Sequence, residues 1–132
     1  MIFHTNTNMA ELTTEQKIEV IVKALDSKRA EDIQAIKIGD LTIIADYFII
    51  ADGTSNTHTK ALAEEVEFKM TQLGIEPSRT EGYQGQTWIV LDYGDVVVHV
   101  FYKETRDHYN LERLWSDGTN VDISEYLVKE EN

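Results

Sequence analysis

The stretch Trp88-Ile-Val-Leu-Asp-Tyr-Gly-Asp-Val-Val-Val-His-Val-Phe101 decides the fold. It covers most of two runs rich in β-branched and aromatic residues, Thr87–Asp92 and Asp95–Lys103. Such runs favour extended backbone, and only Tyr93-Gly94 separates them. A two-residue connection that includes glycine is typical of a tight β-hairpin. The sequence therefore predicts two adjacent antiparallel strands in this stretch.

The two faces of the predicted hairpin differ in composition. If Asp92 opposes Asp95, alternation along each strand assigns every side chain to one face, and a one-residue slip would exchange the faces. The first face is mainly aliphatic and is predicted to lie under helices: Ile89, Leu91, Val96, Val98, Val100 and Tyr102. The second face mixes aromatic, aliphatic and acidic side chains: Trp88, Val90, Asp92, Asp95, Val97, His99 and Phe101. This mixture is typical of a protein-binding surface, although the C-terminal helix could equally cover it.

The segments around the hairpin predict further helices and strands. A capping box of Thr13 and Gln16 opens a helix over residues 14–28, and a second helix begins at Ser55 or Asn56 and ends before Gly74. Apolar runs predict strands over residues 33–38, 47–51 and 75–81, a helical turn over 41–46, and a short helix over 106–115. The order indicates an α/β domain with a mixed β-sheet and helices packed mainly on one face.

The chain length of 132 residues suits a single domain. Residues 1–12 show no periodicity and are predicted to form a flexible N-terminal segment. Residues 13–118 contain all the patterned elements and form the predicted domain. Residues 119–132 are acidic with a few apolar side chains, and they are expected to rest loosely on the domain as a tail.

Composition excludes several classes of function. Twelve basic against 24 acidic residues give a net charge of −12, which disfavours general binding to nucleic acid backbones and suits a basic partner. The absence of cysteine excludes disulfides, cysteine nucleophiles and thiolate metal sites. No apolar run is long enough to span a membrane, and the first residues lack the pattern of a secretory signal, so we expect a cytoplasmic protein.

Candidate catalytic patterns are weak. None of the four histidines has a second ligand at zinc-like spacing, so neither a metal nor another cofactor is expected. Gly53-Thr54-Ser55 precedes a helix and could cradle a phosphate, but no P-loop lysine follows. Asp92 and Asp95 could hold magnesium together with Gly53 and Ser55, yet Asp is also common beside turns for structural reasons. The sequence therefore favours a protein that is not an enzyme.

The stretch from Trp88 to Phe101 resembles the signature of the ribosomal silencing factor family, RsfS, also called Iojap. Three further stretches resemble the same family. They are Lys28-Arg-Ala-Glu-Asp-Ile33; Asp46-Tyr-Phe-Ile-Ile50 followed by Gly53-Thr-Ser-Asn56; and Arg106 with Tyr109-Asn-Leu-Glu-Arg-Leu-Trp115. Together they cover about residues 14–117, and their order and spacing make the resemblance specific.

The resemblance implies a fold akin to the nucleotidyltransferase α/β fold without its catalytic function. It also implies binding to the large ribosomal subunit through its ribosomal protein number fourteen, a basic protein. An occupant there would block joining of the small subunit and lower translation when nutrients are short. Carried onto this chain, the family's binding surface corresponds to Trp88, Val90, Asp92, Asp95, Val97 and His99.

Within this interpretation, Trp88 is the aromatic anchor, His99 supports it, and Asp92 and Asp95 meet basic side chains of the partner. Two alternatives stay open: a large-subunit assembly factor that uses the same contact, and a divergent nucleotidyltransferase that uses Ser55, Asp92 and Asp95. Self-association through the open sheet face, giving a homodimer, is also expected from the resemblance.

Overall fold

The structure is a computed structural model that describes residues 12–41, 45–114 and 116–128. The predicted N-terminal segment lies almost wholly outside the described residues, as do the middle of the turn predicted over 41–46 and the end of the predicted tail. The elements follow in the order α1 Thr14–Ser27, β1 Glu31–Lys37, β2 Tyr47–Gly53, α2 Asn56–Gln72, β3 Arg79–Glu81, β4 Trp88–Asp92, β5 Val96–Tyr102, α3 Lys103–Tyr109, α4 Leu111–Leu114, β6 Thr119–Val121 and a 3₁₀ turn Ser124–Tyr126.

Six strands form one mixed sheet in the order β3-β4-β5-β2-β1-β6. The central pair, β2 and β5, is parallel, and the other neighbours are antiparallel. Parallel neighbours need a crossover, which here consists of α2, β3 and β4. The α/β class with a mixed sheet, predicted from the order of elements, is confirmed.

The hairpin register differs from the assumed one by two residues. Asp92 pairs with Val97, and Trp88 pairs with Phe101, so Asp95 lies in the turn beyond the ladder. Because side chains alternate with a period of two, a shift of two residues leaves every strand residue on its predicted face. The two predicted faces are therefore confirmed for the residues within β4 and β5.

The helix-side core lies between the sheet and the two long helices. The largest fully buried side chains in it are Ile21 and Leu25 of α1, Leu62 and Met70 of α2, and Ile49 of β2. The inward-facing hairpin residues Ile89, Leu91, Val96, Val98 and Val100 complete it. Burial of these aliphatic groups is the main favourable contribution to folding.

The opposite face of the sheet carries a second, smaller core, here called the aromatic-side core. It contains Phe48, Ile50, Val97 and Phe101 from the central strands, with Leu111 of α4 packed against them. The side chains of Trp88 and Val90 are only partly buried at its margin. The short helices α3 and α4 thus cover this face incompletely.

The caps of both long helices follow the sequence. Thr13 and Gln16 make both bonds of the capping box that opens α1, as predicted. Ser55, rather than Asn56, caps α2 by accepting the N–H of His58. A cap of this kind stabilises a helix by about 1 kcal/mol. Gly53 leads into α2 without a side chain, because a Cβ there would lie 2.5 Å from the hydroxyl of Thr59.

Two predicted elements differ in the structure. The strand predicted over 75–81 is reduced to Arg79–Glu81, since Pro77 in its first half has no N–H to donate to a ladder. The helix predicted over 106–115 begins earlier, at Lys103, and divides into α3 and α4. Asn110 separates the two because its φ of +50° is left-handed and ends α3.

The predicted loose placement of the C-terminal tail is wrong for residues 119–123. Thr119–Val121 forms strand β6 on the free edge of β1, and Ile123 is buried in the helix-side core. Further along, the N–H of Val128 donates to the carboxylate of Asp26 in α1. The acidic composition of this segment concealed a short apolar pattern that completes the sheet.

Candidate partner-binding surface

Trp88 stands at the margin of the aromatic-side core, half-buried on the first residue of β4. Its ring stacks on Phe101 with 4.9 Å between ring centroids and lies 5.0 Å from the ring of Tyr109 in α3. Its indole Nε1 donates a hydrogen bond of 3.1 Å to Nδ1 of His99. The neighbours on three sides therefore hold the indole in one orientation while part of it remains exposed.

His99 supports Trp88 from inside the sheet. Only 7% of His99 is exposed, and burial lowers its pKa to about 4. The ring is thus neutral at pH 7, with the proton on Nε2 because Nδ1 accepts the indole N–H. Nε2 has no hydrogen-bond partner within the described residues, and Phe48 packs edge-on against the ring at 4.6 Å.

Val90, Trp88 and Tyr109 form the partly open area of this face, here called the aromatic surface. Val90 is half-buried two residues along β4 from Trp88, and Tyr109 is 53% exposed. Val97 lies beneath them and is almost fully buried. Rigid aromatic and aliphatic groups that are only partly covered suit the centre of a protein interface.

The two predicted acidic residues have different surroundings. Asp92 ends β4 and accepts the N–H of Gly94 at 2.8 Å, with Arg79 more distant at 3.9 Å. Asp95 instead accepts from Thr14 Oγ1 at 2.6 Å and from Lys17 Nζ at 3.0 Å, both on α1. Burial pushes the pKa of Asp95 upwards, but these two bonds together hold the pKa below its usual value.

The structure thus brings together four of the six predicted site residues. Trp88, Val90, Val97 and His99 form one packed group, and Asp92 lies at the end of the same strand. Asp95 lies in the turn, where its carboxylate joins the hairpin to α1.

Tyr109 was not among the six predicted site residues. In the structure it is exposed and packs against Trp88. Its place in the stretch Tyr109–Trp115, which carries part of the family resemblance, was the signal available in the sequence.

Arg106 fixes the position of α3 on this face. It is 3% exposed, and it donates to the carboxylate of Asp52 at 2.9 Å and to the backbone carbonyl of Asp32 at 2.7 Å. Burial raises the pKa of Asp52, and the hydrogen bond from Arg106 opposes that change. The ion pair therefore attaches α3, and with it Tyr109, to strands β1 and β2.

The residues that the nucleotidyltransferase alternative requires, Ser55, Asp92 and Asp95, do not lie close together. Ser55 follows the end of β2 at Gly53, whereas Asp92 and Asp95 lie beside the other end, where Asp95 accepts the N–H of Tyr47. The seven residues of β2 separate these ends by about 20 Å. The carboxylates and the serine therefore cannot act on one phosphate.

Other polar groups near Ser55 are used within the fold. His58 bonds the N–H of Thr54 at 2.9 Å and the carbonyl of Lys28 at 2.7 Å, joining the start of α2 to the end of α1. Over residues 12–41, 45–114 and 116–128, no group of three or more histidine, aspartate or glutamate side chains could hold a metal ion. None of the helices in these ranges is long and apolar enough to cross a membrane.

Comparison with known proteins agrees with this architecture. Residues 11–132 match the sequence profile of the family described as "Ribosomal silencing factor during starvation". The chain is 41% identical over 106 residues to the ribosomal silencing factor RsfS of Bacillus subtilis, covering 80% of this chain and 90% of that protein. It is 39% identical over 112 residues to RsfS of Halalkalibacterium halodurans, covering 85% and 96%.

A structural relative and an organellar relative extend this likeness. A crystal structure of a protein from Chromobacterium violaceum superposes with a TM-score of 0.78 at 33% identity, covering 80% of this chain and 88% of that one. A mouse protein named "Mitochondrial assembly of ribosomal large subunit protein 1" is 32% identical over 102 residues, covering 75% of this chain and 45% of that protein. Because the family profile matches nearly the whole length of the chain, the chain belongs to the ribosomal silencing factor family.

Proposed function

We propose that this protein binds the large ribosomal subunit through its ribosomal protein number fourteen. Bound there, it prevents the small subunit from joining, and so it represses translation in the cytoplasm under nutrient limitation. The family membership and the names of the bacterial relatives support a role at the ribosome. The mechanism is steric occupation of a docking surface, with no substrate turned over.

One observation carries the choice of surface: Trp88 is fixed by neighbours but incompletely covered. An anchor residue that is already in its bound orientation loses little conformational freedom on binding, which favours affinity. Tryptophan is also among the residues that contribute most to interface energy. The stack on Phe101 and the bond to His99 provide this preorganisation.

In this proposal the six predicted residues have different roles. Trp88 and Val90 contact the partner, and Asp92 offers a carboxylate to its basic side chains. Val97 and His99 support the contact from below, since both are buried. Asp95 holds the turn against α1. The net charge of −12 suits a basic partner, because opposite fields speed encounter and fix orientation.

A second role, in assembly of the large subunit, is favoured by the mouse relative and its name. The same surface would then dock on a precursor of the subunit. An accumulation of large-subunit precursors in a deletion strain would favour assembly, whereas normal precursors with unchecked translation in starvation would favour silencing. A homodimer formed through the aromatic surface would compete with the ribosome for Trp88.

Co-sedimentation with purified large subunits tests the proposal. Wild-type protein is expected to sediment, and Trp88→Ala is expected to bind about 10- to 100-fold more weakly. Phe68→Ala is the matched control, because Phe68 is 56% exposed on α2, on the other side of the sheet. Circular dichroism must show that each variant is folded.

Val90→Glu provides a second variant at the surface, since it places a charge beside Trp88 without removing a ring from the core. Equal sedimentation of wild type, Trp88→Ala and Val90→Glu would reject the chosen face. Failure of wild type to sediment would reject the ribosomal role.

A further inference from the structure

A shallow pocket of about 410 Å³ lies at the open end of the hairpin, opposite its turn. Its walls are Thr87, Tyr102, Glu104, Thr105, His108 and Tyr109. The N–H of Tyr102 donates to the carbonyl of Thr87 at 2.9 Å and closes the strand end, and the rest of the lining comes from one side of α3. The pocket is therefore built where β5 passes into α3.

Two cationic residues of α3 are held in ion pairs, whereas Glu104 lines the pocket beside His108. Lys103 pairs with Glu31 at 3.4 Å, and Arg106 is buried against Asp52. Glu104 has no ion pair or hydrogen bond to any other described residue, and it is exposed. The pocket thus combines a carboxylate that no described cation pairs with, the rings of Tyr102 and Tyr109, and the imidazole of His108.

This combination selects for a guanidinium group. Aromatic faces attract a cation through their quadrupole, and arginine stacks on them more often than lysine does. A carboxylate can accept two parallel N–H bonds from a guanidinium, which a lysine ammonium cannot supply in the same geometry. A phosphate or another anion would instead be repelled by Glu104.

The pocket is continuous with the aromatic surface. Tyr109 lines the pocket and also lies 5.0 Å from the ring of Trp88, and Thr87 is the residue before Trp88 in the chain. Along β4, Asp92 lies four residues from Trp88, which corresponds to about 13 Å. A partner lying along β4 would therefore meet a carboxylate at each end and an aromatic anchor between them.

We propose that this end pocket binds an arginine side chain of the basic protein that docks on Trp88. The inference rests on the proposed function for its partner, and it adds a second recognition site beside the anchor. In the bound state the guanidinium would pair with Glu104 and lie against the aromatic walls, and this pair would fix the direction in which the partner lies along β4.

The first test needs no ribosome. Amide spectra of ¹⁵N-labelled protein are recorded while N-acetyl-arginine methylamide is added, and the neutral analogue N-acetyl-citrulline methylamide is the control ligand. The expected result is a shift of the resonances of residues 104–109 with arginine only, and its loss in Glu104→Gln. Equal shifts with citrulline, or shifts that persist in Glu104→Gln, would overturn the proposal.

The second test uses large subunits and the full chain. Glu104→Gln is expected to weaken co-sedimentation about 3- to 10-fold, the effect of losing one charged pair. Asp107→Asn is the matched control, because it removes one charge from the same helix outside the pocket. If Trp88→Ala weakens binding but Glu104→Gln behaves like Asp107→Asn, the pocket proposal fails while the proposed function stands.

Charge reversal separates a protein partner from RNA. Glu104→Lys should weaken binding further if an arginine occupies the pocket, whereas it should strengthen binding if ribosomal RNA phosphate lies there. Stronger binding would therefore reject the arginine proposal. If wild type does not sediment at all, the proposed function fails. The amide spectra with N-acetyl-arginine methylamide then test by themselves whether the pocket binds a guanidinium group.

Discussion

The two faces of the sheet share the same strands but differ in their side chains and in the helices that cover them. The helix-side core is aliphatic and is covered by α1 and α2, two long helices that each have a side-chain cap at the N-terminus. The aromatic-side core is smaller, contains the polar His99 and the Arg106–Asp52 pair beside it, and is covered only by the short helices α3 and α4. Both faces contribute to stability, but only the aromatic side leaves Trp88, Val90 and Tyr109 partly open, which supports the proposal that this face binds the partner.

The largest expected effect comes from Arg106→Met, which leaves the carboxylate of Asp52 buried without its partner. Stability is expected to fall by about 3 to 5 kcal/mol, the usual cost of breaking a buried ion pair. Urea unfolding measures the loss, and amide hydrogen exchange locates it: protection in α3 should fall first, while α1 and α2 stay protected. The double variant with Asp52→Leu should recover much of the stability, and failure to recover would contradict this explanation.

Leu62→Ala tests the other face. Leu62 is fully buried in α2, so its truncation leaves a cavity in the helix-side core and should lower stability by about 3 kcal/mol. At temperatures where the variant is still folded, its binding to large subunits should equal that of wild type. A loss of binding in the folded variant would mean that the two faces are not separate in function.

A pH effect distinguishes the faces further, because His99 is buried on the aromatic side. The folded-state pKa of about 4 lies below the unfolded value near 6.5, so the unfolded chain takes up a proton first as the pH falls. The stability associated with neutral His99 is complete above pH 6.5 and is lost towards pH 4, by up to about 3 kcal/mol.

His99→Gln isolates this contribution, since glutamine does not titrate. The difference in unfolding free energy between wild type and the variant should shrink steadily from pH 7 to pH 4. A difference that is constant over this range would show that His99 does not titrate as the burial predicts.

The smallest expected effects are those of substituting Asp92 and Asp95, the two acidic residues at the hairpin turn. Asp95→Asn weakens the bonds from Thr14 and Lys17 and should lower stability by about 1 kcal/mol, with little change in subunit binding. Asp92→Asn should do the reverse, weakening binding severalfold with little change in stability. Thermal unfolding and co-sedimentation of both variants give the comparison, and identical behaviour would remove the distinction.

The sequence was sufficient for the hairpin and its faces because side-chain alternation survives a register error of two residues. It was not sufficient for Asp95, whose role depends on Thr14 and Lys17, about eighty positions earlier in the chain. The exposure of Tyr109 was not predicted either, because it depends on the left-handed Asn110 that ends α3 directly after it. Strand β6 was missed because three residues in an acidic segment carry too little periodicity to be detected.

The parallel pairing of β2 with β5 has a consequence for how the chain acquires its structure. Tyr47 pairs with Val96, so 49 residues (96 minus 47) separate the partners at the centre of the sheet. Contacts of such long sequence separation slow folding, because a large loop must close before they form. During synthesis the apolar strand Tyr47–Gly53 is therefore made well before β5. Of its neighbours in the folded protein, only α1 and β1 precede it in the chain, and α2 follows it directly.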